Sequence, residues 1–223
     1  MRRAAVAVVL AIVGYFAYRY QQALLKPAIF DGAYSEDFDE VTSLMSGSKA
    51  CSGTWLGARR ILTAAHCLSS TAVRVRFRAD PEGEPTLPNA TLLAKLNEHD
   101  MALVCLNADR NVAPATIPTT GAANGAKSLA VAGWGEASKG NPAVGVAKVD
   151  QTTEVKIFVS AGPNVPCHGD SGGPAYAIDS KVILGVFHDV VPSDAECNLD
   201  TKGMYFRVDS EPVLAWLKQN SCS

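Results

Sequence analysis

Short apolar runs, broken by Gly, Pro, Asn and Asp, recur along the chain from about residue 43 onward. The clearest of these runs are Ile61–Thr63, Val73–Phe77, Met101–Leu106, Leu129–Gly133, Val155–Val159 and Val182–Phe187. Runs of this length between turn residues are typical of the strands of a β-sandwich or barrel. Helical periodicity is found near the C-terminus, at Glu211–Gln219, where apolar residues share one face and Pro212 suits the first turn. The pattern therefore predicts an all-β protein with one short C-terminal helix.

The first 28 residues differ from the rest of the chain. Arg2 and Arg3 precede an uncharged, mostly apolar run over Ala4–Tyr18. Positive charge followed by an apolar stretch is typical of an export signal, and the run is shorter than the roughly 20 residues of a membrane span. The end of the run lacks a clear small-x-small cleavage site. Residues 1–28 are therefore interpreted as a signal peptide or a signal anchor, followed by a linker or propeptide, and both interpretations place the remaining chain outside the cytoplasm.

Composition and charge exclude several classes of function. The 223 residues are 48% hydrophobic, enough to bury a substantial core. There are 20 Lys and Arg against 22 Asp and Glu, a net charge of -2, without blocks of like charge. This balance argues against a nucleic-acid partner and a polybasic membrane patch. Six cysteines in an exported chain favour disulfides, and without a CxxC pair or a His-rich spacing we expect no metal and no cofactor.

Two separated motifs carry the chemistry of a nucleophilic hydrolase. Ser171 lies within Gly169–Pro174, which reads Gly-Asp-Ser-Gly-Gly-Pro, and His66 lies within Leu62–Cys67, which reads Leu-Thr-Ala-Ala-His-Cys. A serine hydroxyl is a poor nucleophile unless a base takes its proton. Glycines beside the serine let the backbone approach a substrate and direct N–H groups at it. The pair therefore supplies a candidate nucleophile and a candidate base.

A third segment supplies a carboxylate that can orient the histidine. Asp100 directly precedes the apolar run Met101–Val104 and lies between the two motifs in sequence. Its rivals are Glu98 and His99, which would point elsewhere on an alternating strand. The three segments together indicate a Ser-His-Asp hydrolase.

Thr63–Cys67 and Gly169–Pro174, with Asp100 between them, resemble the motifs of the chymotrypsin/trypsin family of serine endopeptidases. The order His, Asp, Ser is that of chymotrypsin, whereas subtilisin and the α/β-hydrolases have other orders. The similarity extends from Ile29 to the C-terminus. It implies two antiparallel six-stranded β-barrels, an N-terminal one over residues 29–118 and a C-terminal one, with the terminal helix, over residues 119–223. The site would lie in the cleft between them.

The resemblance also implies a role for each residue, following the established scheme for such triads. Ser171 is the nucleophile, His66 is the general base and then the general acid, and Asp100 holds the imidazole tautomer. The backbone N–H groups of Gly169 and Ser171 form the oxyanion hole. The segment Gly133-Trp134-Gly135 borders the cleft as scaffold.

Asp170 is expected to need a positive partner, because a carboxylate buried beside the nucleophile is costly alone. In the family this partner is a new α-ammonium made by proteolytic activation, and Ile29–Gly32 is similar to the N-terminus so created. We therefore expect a zymogen that an activating protease cuts before Ile29, giving an ion pair with Asp170. Two features depart from the family pattern: Asp31 replaces the usual glycine, and Lys26-Pro27-Ala28 is not an evident trypsin-type cleavage site.

The resemblance selects two disulfides, Cys51–Cys67 and Cys167–Cys197. The first would close the loop that carries His66, and the second would tie the segment before Ser171 to a wall of the substrate pocket. The remaining cysteines, Cys105 and Cys222, are predicted to pair and to clamp the C-terminal helix to the first half of the molecule.

Three residues correspond to the family's pocket for the substrate side chain before the scissile bond. Val165 would form its floor, Val190 one wall and Gly203 the other wall. Trypsin-like enzymes carry Asp at the floor, so the valines predict a small apolar pocket that accepts residues such as Ala or Val. His188 and Asp189 stand where the family usually has a serine and an aromatic residue.

The predicted function is an exported serine endopeptidase, secreted or periplasmic, that cleaves protein or peptide substrates through an acyl-enzyme. A membrane-anchored form, held by the N-terminal segment, is the alternative localisation. Two other functions are open: a catalytically silent, protease-like binding protein, toward which the altered Asp31, His188 and Asp189 point, and an esterase or acyltransferase using the same triad. The His, Asp, Ser order disfavours the esterase.

Overall fold

The computed structural model describes Ile29 and residues 32–80, 87–135, 141–193 and 197–222. The predicted leader over residues 1–28 and the altered Asp31 lie outside the described residues. Within the described ranges, no helix is both long and apolar enough to cross a membrane.

Six antiparallel strands close the first barrel. They are β2 (Val41–Ser46), β3 (Lys49–Gly57), β4 (Arg60–Ala64), β5 (Ala72–Arg76), β6 (Ala90–Leu96) and β7 (Met101–Leu106), with β1 (Ala33–Tyr34) preceding them in the chain. They are hydrogen-bonded in the order β2-β3-β4-β7-β6-β5. All but one of the β7 residues are buried, as expected of an apolar run covered on both faces, whereas β6 alternates buried or half-buried with exposed residues.

A second group of six strands forms the other barrel. They are β8 (Ser128–Gly133), β9 (Ala143–Thr152), β10 (Lys156–Val159), β11 (Pro174–Ala177), β12 (Ile183–Val191) and β13 (Lys202–Arg207). The sheet order is β9-β10-β13-β12-β11-β8, and pairing of β8 with β9 closes it. The expected fold class, two antiparallel six-stranded barrels, is therefore confirmed.

The short strand β1 belongs to the second barrel, although its residues fall within the range expected for the first. Ala33 pairs with Val144 and Tyr34 with Ala143, so β1 extends the sheet beside β9. Ile29, just before it, is fully buried in the core of the second barrel with Leu129 and Val131. The N-terminal end of the described chain therefore packs against the barrel that carries Ser171.

The C-terminal helix α1 (Glu211–Gln219) packs against the first barrel. Val213 and Leu217, one turn apart, are its buried residues and join the apolar core that includes Trp55. Arg60 at the start of β4 donates from Nη1 to the carbonyl oxygen of Leu217 at 2.9 Å. This bond satisfies a carbonyl that the end of a helix leaves without a partner.

All six cysteines are paired. The structure contains disulfides between Cys51 and Cys67, Cys167 and Cys197, and Cys105 and Cys222. These are the three pairs named from the sequence. The last one ties the segment after helix α1 to β7, at a sequence separation of 117.

Candidate active site

The backbone of a short 3-10 turn, Ala65–Cys67, fixes His66 directly after β4. The Asp100 carbonyl oxygen accepts a hydrogen bond from Ala65 N at 2.9 Å, and the Asp100 carboxylate receives two from His66. Backbone N of His66 donates to Oδ1 at 2.9 Å, and ring Nδ1 donates to Oδ2 at 2.6 Å. These contacts orient the imidazole and leave its Nε2 atom to act as a base.

Asp100 reaches this position through a left-handed backbone conformation. It follows the 3-10 turn Asn97–His99 with φ of 44°, a region that Asp tolerates better than most residues. Burial alone would raise the pKa of Asp100, but hydrogen bonds from His188 and His66 outweigh it and hold that pKa well below its ordinary value. The carboxylate is therefore ionised at neutral pH.

Ser171 lies in a turn pressed against the first barrel. Its carbonyl oxygen accepts from Ser52 N at 2.8 Å, and Gly172 next to it has φ of 84°. A Cβ at Gly172 would lie 2.2 Å from Oγ1 of Thr63, so only glycine fits there. In the part of the chain that the structure describes, no hydrogen bond joins Ser171 Oγ to His66. Such bonds are often long without substrate and tighten in the complex.

Ser52 holds the loop before the serine, a role that sequence reasoning missed. Its Oγ donates to the carbonyl oxygen of Gly169 at 3.0 Å and accepts from Trp134 N at 2.8 Å. Gly169 has φ of 85°, a conformation that favours glycine. Ser52 therefore joins the first barrel to both the Gly169–Pro174 loop and the Gly133-Trp134-Gly135 segment.

Asp170 is a fully buried carboxylate. Its Oδ1 accepts from Gly135 N at 3.0 Å and its Oδ2 from Cys167 N at 2.9 Å. Burial raises the pKa of Asp170 to about 7, against the opposing effect of these two hydrogen bonds. Among the described residues, no cationic side chain forms an ion pair with it. The structure thus contains a buried acid held by backbone groups alone.

His188 makes a second contact that sequence reasoning did not predict. It lies on β12, and its Nδ1 donates to Oδ2 of Asp100 at 2.5 Å. Its ring meets that of His66 edge-on, with centroids 5.5 Å apart. One carboxylate oxygen therefore accepts hydrogen bonds from two imidazoles. The only sequence signal is a pair of polar residues, His188 and Asp189, inside an apolar strand.

Comparison with known proteins assigns the chain to a family. A family model described as Trypsin matches residues 32–217. The chain belongs to the trypsin family. It is 28% identical over 185 residues to trypsin alpha of Drosophila melanogaster, covering 66% of this chain and 70% of that protein. It is 26% identical over 183 residues to a serine protease of Anopheles gambiae, covering 68% of this chain and 66% of that protein.

As a member of the trypsin family, the chain is a serine endopeptidase.

The structure brings together the three residues predicted for the substrate pocket. Val190 and Gly203 are cross-strand partners between β12 and β13. A Cβ at Gly203 would lie 3.5 Å from Val165 Cγ1, and both valines are buried. The surroundings of Gly203 are therefore apolar.

Glu98 and His99, the two alternatives to Asp100, lie away from the His66 ring. Glu98 is exposed on the 3-10 turn, and His99 is buried with its ring 6.3 Å from that of Phe206. Asp100 is the carboxylate that contacts His66. The left-handed conformation of Asp100, rather than strand alternation, turns it toward the histidine.

One cluster of the site has the donor types of a metal centre: His66, Asp100 and His188. Two imidazoles and a carboxylate suit zinc. Here, however, both Nδ1 atoms lie within direct hydrogen-bond distance of Oδ2, at 2.6 and 2.5 Å, which leaves no room for an ion between them. The two cysteine-containing clusters involve disulfide sulfurs, which are not thiolate ligands. The expectation of no metal stays a prediction.

Proposed function

We propose that the chain is an exported serine endopeptidase that cleaves peptide bonds through an acyl-enzyme on Ser171. The hydrogen bond from His66 Nδ1 to Asp100 Oδ2, at 2.6 Å, is the observation that carries the proposal. It orients the imidazole so that Nε2 can take the Ser171 Oγ proton as Oγ bonds to the substrate carbonyl carbon. His66 then gives that proton to the leaving amine as the C–N bond breaks. A water molecule, deprotonated by His66, hydrolyses the ester.

Stabilisation of the developing oxyanion is assigned to the N–H groups of Gly169 and Ser171. The bonds from Ser52 Oγ to the Gly169 carbonyl and from Ser52 N to the Ser171 carbonyl support this assignment, because they anchor the loop that carries both N–H groups. Preorganised donors of this kind are worth about 100- to 1000-fold in rate when one is removed.

Covalent labelling tests the chemistry. A fluorophosphonate probe is expected to label Ser171 in the cut enzyme, and Ser171→Ala is expected to abolish labelling. Asp100→Asn should slow labelling by about 10⁴-fold, because it favours the wrong imidazole tautomer. Native protein that stays unlabelled after cleavage at Ile29 would support the catalytically silent binding protein instead.

Small aliphatic residues are the proposed preference before the scissile bond. Val165 and Val190, both buried near Gly203, support a narrow, apolar pocket. One methylene in such a pocket is worth about 1–3 kcal/mol, so selectivity among aliphatic residues is modest. A panel of peptide substrates should show faster cleavage after Ala or Val than after Arg.

A pocket variant makes the substrate test sharper. Val190→Gly removes one wall and should move the preference toward larger side chains such as Leu or Phe. Val146→Ala, at an exposed position on β9, is the matched control and should leave the preference unchanged. Cleavage after Arg that exceeds cleavage after Ala in the native enzyme would contradict the proposed pocket.

Activation is proposed to occur by cleavage before Ile29. The lone buried carboxylate of Asp170 supports this, since a new α-ammonium would give it the positive partner that described side chains do not supply. The burial of Ile29 in the second barrel also supports it. Mass spectrometry of the active enzyme should find Ile29 at the N-terminus; an intact residue 28 in fully active protein would contradict this step.

Export from the cytoplasm completes the proposal. Three disulfides that use all six cysteines favour an oxidising compartment. The basic and apolar leader is the proposed export signal or anchor. N-terminal sequencing of the exported protein, together with its partition between membrane and soluble fractions, distinguishes a cleaved signal from an anchor.

A further inference from the structure

Two lysines bind the carbonyl groups of the turn that carries His66. Lys95 on β6 donates from Nζ to the carbonyl oxygens of Ala65 at 3.2 Å and of Leu68 at 3.0 Å. Lys49, the first residue of β3, donates from Nζ to the carbonyl oxygen of His66 at 2.7 Å. The last carbonyls of a helical turn have no partner within the turn, and lysine side chains can supply one.

Lys95 lies on the same hairpin as Asp100. It pairs with Ala102 of β7, and Asp100 lies in the turn between β6 and β7. The backbone N of Ala65 donates to the Asp100 carbonyl oxygen at 2.9 Å, whereas the Ala65 carbonyl oxygen accepts from Lys95. The β6–β7 hairpin therefore holds the residue before His66 at both its N–H and its C=O.

Lys49 binds the turn from a different hairpin. It lies opposite Ser46 at the end of the β2–β3 hairpin, and the Ser46 carbonyl oxygen accepts from Ser69 Oγ at 2.8 Å. Ser69 follows the turn in sequence, so this hairpin stays attached to the chain around His66 without Lys49. Lys95 makes two bonds to the turn and Lys49 makes one, so we expect Lys95 to contribute more.

We propose that Lys95 is a positioning residue of the triad: its ammonium group holds the turn Ala65–Cys67 on the β6–β7 hairpin and so fixes His66 opposite Asp100. This inference rests on the proposed function. Hydrogen bonds from a cation are stronger than those between neutral groups. Lys95 acts through the backbone of the turn. Without its ammonium, the Ala65 and Leu68 carbonyls can turn toward water, and the base loses part of the support that aligns it. Misplacing a catalytic group by about 1 Å can cost about 100-fold in rate.

Two replacements of Lys95 separate its charge from its bulk. Lys95 is exposed, so replacing it leaves the core intact. Lys95→Met keeps the unbranched chain and removes the donor, whereas Lys95→Arg keeps a cationic donor. For Lys95→Met we expect kcat to fall by about 10-fold, as for a misplaced base, while KM changes by less than about 3-fold. Lys95→Arg should restore most of the lost kcat.

Two further lysines provide the comparison. Lys148→Met, at an exposed position on β9 of the second barrel, is the matched control and should leave kcat and KM unchanged. Lys49→Met removes one bond to the turn and should lower kcat less than Lys95→Met does.

Amide hydrogen exchange, followed by NMR on the full chain, reports on the turn without turnover. The backbone N–H groups of Ala65 and His66 both donate to Asp100, the first to its carbonyl oxygen and the second to Oδ1. Lys95→Met should speed their exchange by about 10-fold, the effect of losing one charge-assisted hydrogen bond, and Lys95→Arg should reverse this. The amides of helix α1 should exchange at the native rate in every variant, which excludes a general loss of stability.

The outcomes distinguish this inference from the proposed function. Native kcat in folded Lys95→Met would overturn the positioning role. A loss of kcat without faster exchange at Ala65 and His66, or with equally faster exchange in helix α1, would overturn it as well. If Ser171 of the native protein resists fluorophosphonate, the proposed function fails. Faster exchange at the two amides in Lys95→Met, reversed in Lys95→Arg, would still establish that Lys95 holds the turn.

Discussion

Replacing Asp170 by asparagine tests the energetics of the buried charge beside Ser171. The carboxylate is fully buried and receives hydrogen bonds from backbone N of Gly135 and of Cys167. Asparagine has nearly the same shape but is uncharged at every pH. Its amide NH₂ must face one of these two N–H groups, so the variant loses one hydrogen bond, at a cost of about 1–3 kcal/mol.

The magnitude follows from the pKa of Asp170, which burial raises to about 7 from its ordinary 3.8. The folded chain therefore holds this proton to higher pH than the unfolded chain does. The stability that the protonated Asp170 contributes is fully present below about pH 4. It is lost as pH rises from about 4 to about 7, because the native state binds more protons than the unfolded state across that window. At about 1.4 kcal/mol for each pH unit, the Asp170 charge costs roughly 4 kcal/mol above pH 7.

The assay is urea unfolding of the intact, uncut full chain at pH 3 and at pH 8.5, in a Ser171→Ala background that prevents self-cleavage. At pH 3, where Asp170 is mostly protonated in both the folded and the unfolded chain, Asp170→Asn should be less stable than its parent by about 1–3 kcal/mol, the lost hydrogen bond. At pH 8.5 it should be more stable by about 1–3 kcal/mol, because the larger cost of the charge has been removed. The order of stability therefore reverses between the two pH values.

An exposed carboxylate provides the control for this measurement. Asp150 on β9 is 45% exposed and pairs with Lys202 at 3.0 Å. Asp150→Asn should change the unfolding free energy by less than about 1 kcal/mol at both pH values, as for other surface pairs. Should Asp170→Asn differ from its parent by the same amount at pH 3 and pH 8.5, the argument from burial is wrong.

Three further changes test the packing around the site. Ser52→Ala should lower the unfolding free energy by about 1–3 kcal/mol in urea titrations and slow fluorophosphonate labelling, because Trp134 N loses its acceptor and the catalytic loop loses its anchor. Replacing Cys105 and Cys222 together by serine opens a cross-link of sequence separation 117 and should cost up to about 5 kcal/mol, seen as a lower Tm. Leu217→Ala, at a fully packed helix position, should cost about 2–5 kcal/mol and speed amide exchange in helix α1.

Apolar runs predicted those strands whose buried residues are mostly apolar. The run Met101–Leu106 has the same bounds as β7, in which all but one of the residues are buried. The apolar runs did not mark β6 and β9, which each have one face toward solvent, and they did not mark β2, whose buried residues include Thr42, Ser43 and Ser46. The run Val182–Phe187 ends four residues before β12 does, because His188 and Asp189 interrupt the apolar pattern while the backbone continues to pair with β13.

The local parts of the site could be inferred from local motifs, whereas its long-range contacts could not. His66 and Ser171 each lie in a turn whose conformation depends on adjacent residues, such as Gly172 with φ of 84°. The bonds from Ser52 to Gly169 and from His188 to Asp100 join residues 117 and 88 positions apart. They depend on how the two barrels dock, which no local pattern of apolar and polar residues encodes.

The contacts that build the site cross between the two barrels, and this links the charge of Asp170 to the nucleophile. Ser52 of the first barrel binds the loop of the second barrel at the carbonyls of Gly169 and Ser171, on either side of Asp170. Asp170 in turn accepts at its own carbonyl from Gly173 N at 2.8 Å. An unpaired charge on Asp170 therefore destabilises the same six-residue loop that presents Ser171 and the proposed oxyanion-hole amides. Any partner that stabilises the carboxylate stabilises that loop, so the electrostatics of Asp170 and the order of the catalytic groups depend on the same hydrogen bonds.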